Sequence, residues 1–284
     1  MKAGVLPMWY QEIGLKYPIF QGAMSWVTTP RFVAAVSNAG GLGILASGGR
    51  TAAKLREMIR QTRKLTDQPF GVNVVLFEKQ AAALCQVICE EKVAVITTGA
   101  GTPKPYIEQL KRARVKIYPV VPNLKIAYKM QKLAVDGLVV EGMEAGGHIG
   151  TETLLTLLPQ VTAHTKLPVV AAGGIYDHNS IEAVKCLGAQ GVQAGTIFLA
   201  AEECEISAKY KELLVAASNP GTTIKKSEAG IFARVLNLGT ANRALSLHAA
   251  VNEGNTIIGA FMAGQVADRI KRIESLAAIF RRLI

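Results

Sequence analysis

Short apolar segments recur eight times along the chain at a nearly constant interval, and this rhythm restricts the fold more than any other feature. The segments are Pro18–Gln21, Leu42–Leu45, Phe70–Val74, Val93–Thr97, Lys116–Val120, Gly137–Glu141, Pro168–Ala172 and Gly191–Ala194. Their first residues lie 24, 28, 23, 23, 21, 31 and 23 positions apart, which is the length of one strand, one loop and one helix. Each is apolar without alternation, as strands are when helices cover both faces of a sheet. Eight such units predict an α/β fold, a (β/α)8 TIM barrel. An open doubly wound sheet is the alternative, because closure leaves no mark in a sequence.

Local punctuation agrees. Thr29-Pro30 reads as an N-cap with proline at the first helical position, and the following helix stops at Gly40-Gly41. The stretch Glu203–Gly254 is too long for an ordinary connection, and Tyr210–Ala217 has a helical pattern. The expected organisation is therefore a barrel over 1–203 and 255–284 with a small helical lid over 204–254, inserted between the eighth strand and the last helix. Val266, Ile270, Ile273, Ala277 and Phe280 fall at helical spacing and predict the eighth outer helix within Gly264–Ile284. Gly41–Ala46 matches the dinucleotide pattern G-x-G-x-x-A, but a helix precedes it and a strand runs through it, so no Rossmann site is read there.

Composition removes several classes of function. Half of the 284 residues are hydrophobic and 19% are charged, which excludes a disordered chain. No apolar run approaches the ~18 residues of a membrane span, and MKAGVLPMWYQEIG lacks the features of a secretory signal. The expected location is the cytoplasm. Cys85, Cys89, Cys186 and Cys204 make no disulfide scaffold and, without a nearby histidine, no zinc set; they read as buried thiols. The net charge of +11 lies in residues 1–140, which hold 19 Lys+Arg against 8 Asp+Glu. That excess serves either as a solvated outer surface or as a docking face for an acidic partner. With 8 Phe and 7 Tyr and no basic run interleaved with them, no nucleic-acid module is read.

In such barrels the working residues stand at the carboxyl ends of the strands. Glycines gather at the seventh and eighth ends, where Gly173, Gly174, Gly195 and Thr196 either allow tight turns or cradle a phosphate; two such clusters on adjacent strands favour the cradle. His148 sits in a glycine-bracketed loop after the sixth strand, with Glu141 and Glu144 close in sequence. Its imidazole suits proton exchange near neutral pH, or fills the loop through hydrogen bonds. His164, His178 and His248 read as structural or surface residues.

EGMEAGGHIG at 141–150, AAGGI at 171–175 and QAGT at 193–196 resemble the FMN-dependent superfamily of nitronate monooxygenases and enoyl-acyl-carrier-protein reductase II. The likeness extends to AGGLG at 39–43, PFGVN at 69–73 and MAGQ at 262–265. QGAMSW at 21–26, TTGAG at 97–101, YPVVP at 118–122 and YKELL at 210–214 look more like the reductase branch. The resemblance implies FMN at the barrel mouth. Gly22, Ala23, Met24 and Asn73 would line the ring system, with Glu141 at the ribityl and ring region. Gly173, Gly174, Gly195 and Thr196 would hold the phosphate, with Gly147, Ala172 and Gln193 nearby, and Met262, Gly264 and Gln265 would close the pocket. His148 would face the reactive edge of the flavin.

The activity so implied is NAD(P)H-dependent reduction of trans-2-enoyl groups on acyl carrier protein, with nitronate oxidation by O2 as the first alternative and a non-catalytic binding module as the second. NADH or NADPH, a possible monovalent cation and a homodimer are further implications of the resemblance. Compared with the reductases, Ala241–Gly259 looks like a deletion of some tens of residues. Acyl carrier protein being acidic, Arg56, Arg60, Arg63, Lys111 and Arg112 form the expected docking face.

Overall fold

The protein is described from a computed structural model, over residues 8–226, 231–239 and 246–284. All eight expected strands form. They are β1 (Ile19–Gln21), β2 (Gly43–Ala46), β3 (Phe70–Val75), β4 (Val95–Gly99), β5 (Lys116–Val121) and β6 (Leu138–Glu141). After a two-residue strand β7 (Gly147–His148) outside the barrel come β8 (Val169–Ala172) and β9 (Gly191–Ala194). The eight pair in the order β1-β9-β8-β6-β5-β4-β3-β2, every neighbour parallel. A parallel bridge between Phe20 and Leu42 closes the remaining seam. There Gln21 N donates to Leu42 O at 2.9 Å and Leu42 N to Ile19 O at 2.8 Å. The sheet is thus a barrel, and the open alternative falls away.

The chain also forms α1 (Trp9–Glu12), α2 (Pro30–Asn38), α3 (Ala52–Arg63), α4 (Ala81–Glu90), α5 (Ile107–Arg112), α6 (Leu124–Gln131), α7 (Leu154–Thr162), α8 (His178–Cys186), α9 (Thr196–Leu199), α10 (Ala208–Val215) and α11 (Leu276–Leu283). Thr29 Oγ1 caps α2 by accepting from Phe32 N at 3.2 Å, with Pro30 at the first position as the sequence predicts. Two cores result. One lies between strands and outer helices; the other fills the barrel with Phe20, Leu42, Ile44, Val95, Tyr118, Val139 and Val170. The rings of Trp9, Phe20 and Tyr118 stand 5.6–5.9 Å apart and stopper the amino end of the barrel. Gly137 makes room for them, since a Cβ there would come within 2.2 Å of Tyr118 Cε1.

Two expectations are corrected. The insertion over 204–254 is not purely helical. It holds α10, but also an antiparallel hairpin of β10 (Thr222–Lys226) and β11 (Phe232–Leu236), and β11 pairs with β7. Gly264–Ile284 is not one helix: a 3₁₀ turn over Gln265–Arg269 leads to an extended Ile270, and α11 is the short remainder. Backbone donors that a longer helix would use internally go to the barrel instead. Gln265 N donates to Glu144 O and Glu274 N to Ala200 O.

The basic face also has a local explanation. Arg56, Arg60 and Arg63 of α3 converge on the buried carboxylate of Glu91, at 3.0, 2.8 and 3.1 Å, and Arg56 also pairs with Glu90. The hydrogen-bonded guanidiniums hold Glu91 below the usual carboxylate range against the opposing effect of burial. Outer helices of a barrel run antiparallel to the strands, so Arg60 and Arg63, and Lys111 and Arg112 of α5, lie toward the stoppered end, away from the mouth. Arg60→Glu is accordingly expected to lower the melting temperature, measured by thermal denaturation.

Among the described residues, no helix is long and apolar enough to cross a membrane, and no cluster of His, Cys, Asp and Glu could hold a metal. The four cysteines are free. Cys85 and Cys204 are buried, and burial pushes both thiols up to about 12; Cys186, by contrast, is exposed.

Candidate active site

A cavity of about 900 Å³ occupies the carboxyl end of the barrel, toward the upper end of the roughly 300–1,000 Å³ typical of small-molecule and cofactor sites. Its wall includes Gly22, Ala23, Met24, Asn73, Glu141, Gly147, His148, Ala172, Gly173, Gly174, Gln193, Gly195, Thr196, Met262 and Gly264. Of the residues singled out in the sequence only Gln265 stands apart. Its side chain is exposed, and its backbone N–H is what reaches the site's framework, donating to Glu144 O at 2.9 Å.

The glycine-rich end is built for close approach. Gly173 (φ +100°) and Gly174 (φ +73°) hold left-handed conformations, and a Cβ on Gly173 would lie 3.1 Å from Gly142 O and 3.2 Å from Ala145 N. Beside them Thr196 Oγ1 accepts the Gly264 N–H at 2.8 Å. A hydroxyl that already accepts keeps its own proton to donate, so Thr196 can offer a hydrogen bond to an anion in the cavity. Across the mouth, Asn73 Nδ2 donates to Thr97 Oγ1 at 3.0 Å, tying β3 to β4.

The loop between β6 and β7 is held from three sides. Both carboxylate oxygens of Glu144 accept Leu154 N at 2.9 Å, capping α7, while Glu144 O accepts from Gln265. Arg234 of β11, buried, donates through Nε to Met143 O at 3.0 Å and through Nη1 to Thr222 Oγ1 at 3.3 Å. Burial pulls its pKa down while Glu144 pushes it up. β7 pairs through its backbone with β11, Ala233 opposite His148, which leaves the exposed imidazole on the cavity wall. The other three histidines do not line it.

The nitronate monooxygenase family matches residues 7–87 and 82–284. The chain belongs to this family. It is 34% identical to a nitronate monooxygenase of Paraburkholderia phytofirmans over 82% of this chain and 76% of that one. It is also 37% identical to a Rhodococcus jostii (3aS,4S,5R,7aS)-5-hydroxy-7a-methyl-1-oxo-octahydro-1H-indene-4-carboxyl-CoA dehydrogenase over 81% of this chain, but spans only 65% of that protein's length. Among solved structures, FabK from Thermotoga maritima superposes with a TM-score of 0.91 at 37% identity, covering 98% of this chain and 95% of that one. Together these relatives support a flavin-dependent oxidoreductase.

Within this nitronate monooxygenase family site, Glu141 is the anomalous acid. This half-buried residue stands on the cavity wall at the end of β6, and desolvation of the carboxyl pushes its pKa up to about 7. The folded protein therefore keeps a proton that the unfolded chain releases from about pH 4.5 upward. Stability falls as pH rises across that interval and levels off above about 7. Glu141→Gln is expected to abolish the dependence. In thermal denaturation without ligand, its advantage over wild type should widen between about pH 5 and pH 8, by a few kcal/mol at most; an advantage independent of pH would contradict this.

Sequence reasoning missed parts of the wall. Trp26 lines the cavity in a left-handed conformation (φ +67°), with the Arg50 guanidinium 4.0 Å above its ring and His248 edge-on at 4.7 Å. Lys225, Lys226, Ile231 and Ala233 of the hairpin also line it. The β-branched run Thr222-Thr223-Ile224 was the available signal for that hairpin.

Proposed function

We propose that the protein is an FMN-dependent oxidoreductase that reduces trans-2-enoyl thioesters carried on acyl carrier protein, with NADH or NADPH as the electron source. The observation that carries the reading is the near end-to-end likeness to FabK, an enoyl-acyl-carrier-protein reductase II, together with a cavity whose groups fit FMN. Gly173, Gly174, Gly195 and Thr196 offer a close backbone approach and a donor hydroxyl for the phosphate. Met24, Asn73 and Glu141 would lie against the ring system, and Met262 and Gly264 would close the pocket.

FMN, when bound, supplies hydride transfer chemistry. The residues of this chain position the acceptor and manage the proton. Reduction of an enoyl thioester adds hydride at the β-carbon and a proton at the α-carbon. Negative charge gathers on the thioester oxygen in between, and a ring N–H of His148, which lines the cavity, would donate to it. The apolar wall, including Met24, Val75 and Ile149, limits water at the reacting carbons.

The test is anaerobic. FMN-loaded protein is reduced with NADH or NADPH and mixed with crotonyl thioester; reoxidation of the flavin is expected, and a flavin that stays reduced would sink the reading. The family match and the 34% identity favour nitronate oxidation as the second reading. It calls for oxygen uptake with a nitronate and no need for NAD(P)H.

A further inference from the structure

At the end of β4 the barrel mouth lacks a side chain where both neighbouring strands carry apolar ones. Alternate residues of a strand face opposite sides of its sheet. Along β4, Ile96 packs toward the outer helices, while Val95 belongs to the core inside the barrel and Thr97 meets Asn73 across the mouth. Gly99, two positions on, therefore faces the mouth as well. Its ladder partner on β3 is Val75, which follows the outward-facing Val74. On the other side stands β5, whose Val120 and the following Pro122 line the cavity. A Cβ built on Gly99 would meet nothing within 4 Å. The result is a slot between Val75 and Val120, with Thr97 beneath it. Phe77, two residues beyond Val75, also lines the cavity although 70% of it is exposed, an apolar surface that a ligand in the slot would cover.

The backbone holds this slot open. Gly99 O accepts from Leu76 N at 2.9 Å, and the chain then turns through Ala100, whose φ of +51° is left-handed. Gly101 packs so closely that a Cβ there would come within 2.6 Å of Leu76 Cβ. Glu78 turns toward β2, its Oε1 3.6 Å from a Cβ built on Gly48, which leaves the walls of the slot apolar. In the ring of eight strands, β3 and β4 stand four places from β8 and β9, directly across the mouth from the phosphate cradle. The slot connects instead to His148. Gly150 lies against Pro122, a Cβ on it reaching 2.8 Å from Pro122 Cβ, and Ile149 continues the same wall. β4 and β6 are two strands apart, so the slot begins about 10 Å from the loop that carries His148.

We propose that the slot takes the far end of the substrate's acyl chain, and that Gly99 sets how long a chain the site accepts. This rests on the reductase reading, with the thioester at His148 and the chain running along Ile149 and Pro122. Crotonyl has one methyl beyond its double bond and stops short of a slot about 10 Å away; a ten-carbon chain reaches it. Each methylene withdrawn from water is worth about four-fold in affinity.

Calorimetric titration of oxidised, FMN-loaded protein with butanoyl-CoA and decanoyl-CoA isolates the chain, because the two ligands share a headgroup and, being saturated, accept no hydride. Wild type should bind decanoyl-CoA more tightly by about ten-fold or more. Gly99→Leu fills the slot and should cut that preference about ten-fold, and Gly99→Ala should cut it less. Phe77→Ala removes a mostly exposed ring and should cut it a few-fold. The proposal is overturned if wild type binds the two ligands alike or binds neither, or if Gly99→Leu keeps the wild-type preference. Should Gly99→Leu lose its flavin, Phe77→Ala decides, and an unchanged preference there overturns the proposal. Failure of the reductase reading has a separate signature: reduced wild-type flavin that neither crotonyl nor trans-2-decenoyl thioester reoxidises.

Discussion

His148→Ala should lower the turnover of enoyl thioester by about 10²–10⁴-fold, the usual worth of a positioned general acid, while flavin reduction by NAD(P)H proceeds at the wild-type rate. His148 is exposed, and its strand is held by backbone pairing with Ala233 and by the Ile149 N–H donating to Phe232 O at 3.1 Å. Truncating the imidazole removes none of these bonds, so the FMN absorbance spectrum and melting temperature should stay close to wild type. His148→Gln separates two roles. An amide can donate a hydrogen bond to the thioester oxygen but cannot relay a proton at neutral pH, so partial recovery assigns the imidazole to charge stabilisation. Equal loss in stopped-flow of both half-reactions would remove His148 from the proposed chemistry.

Gly142→Ala should destabilise the protein by about 3 kcal/mol, the cost of forcing an extra methyl into a packed site, and should weaken FMN retention as well. A Cβ there would sit 2.5 Å from Leu154 N and 2.3 Å from Glu144 Oε2. Those are the two ends of the bond that caps α7. The carboxylate can swing away but the backbone amide cannot, so relief must come from moving the loop or the helix, and the loop leads directly to His148. Gly174→Ala is the comparison. Its Cβ would meet nothing nearer than Glu144 Cβ at 4.0 Å, leaving only the left-handed backbone to penalise, about 1–2 kcal/mol. Chemical denaturation that ranks the two variants in the opposite order would refute the argument.

The barrel strands were readable because each is short, apolar and followed by its own helix, so the signal is local and repeats. The site was readable for the same reason: in a barrel the residues just after each strand face one mouth, and that rule reached His148, Glu141 and the glycines of β8 and β9. What escaped depends on partners far away in the chain. Strand β7 is two residues long and exists only because β11 pairs with it more than 80 positions later. Arg234 reads as a surface cation until Met143 O is found 91 residues away. Trp26 reads as one more apolar residue, since nothing in the sequence marks its left-handed backbone. The pairing within the basic half escaped for a related reason: Arg56, Arg60 and Arg63 meet Glu91 across 28–35 positions, and a charge tally over 140 residues does not show that embrace.

The aromatic stopper at the amino end of the barrel has a kinetic consequence. With Trp9, Phe20 and Tyr118 filling that end, molecules reach the cavity through the opposite one, where His148 and the hairpin stand. An electron donor and an electron acceptor that need the same reactive centre must then take turns, the first departing before the second arrives. Initial rates measured over a grid of both concentrations should give parallel double-reciprocal lines.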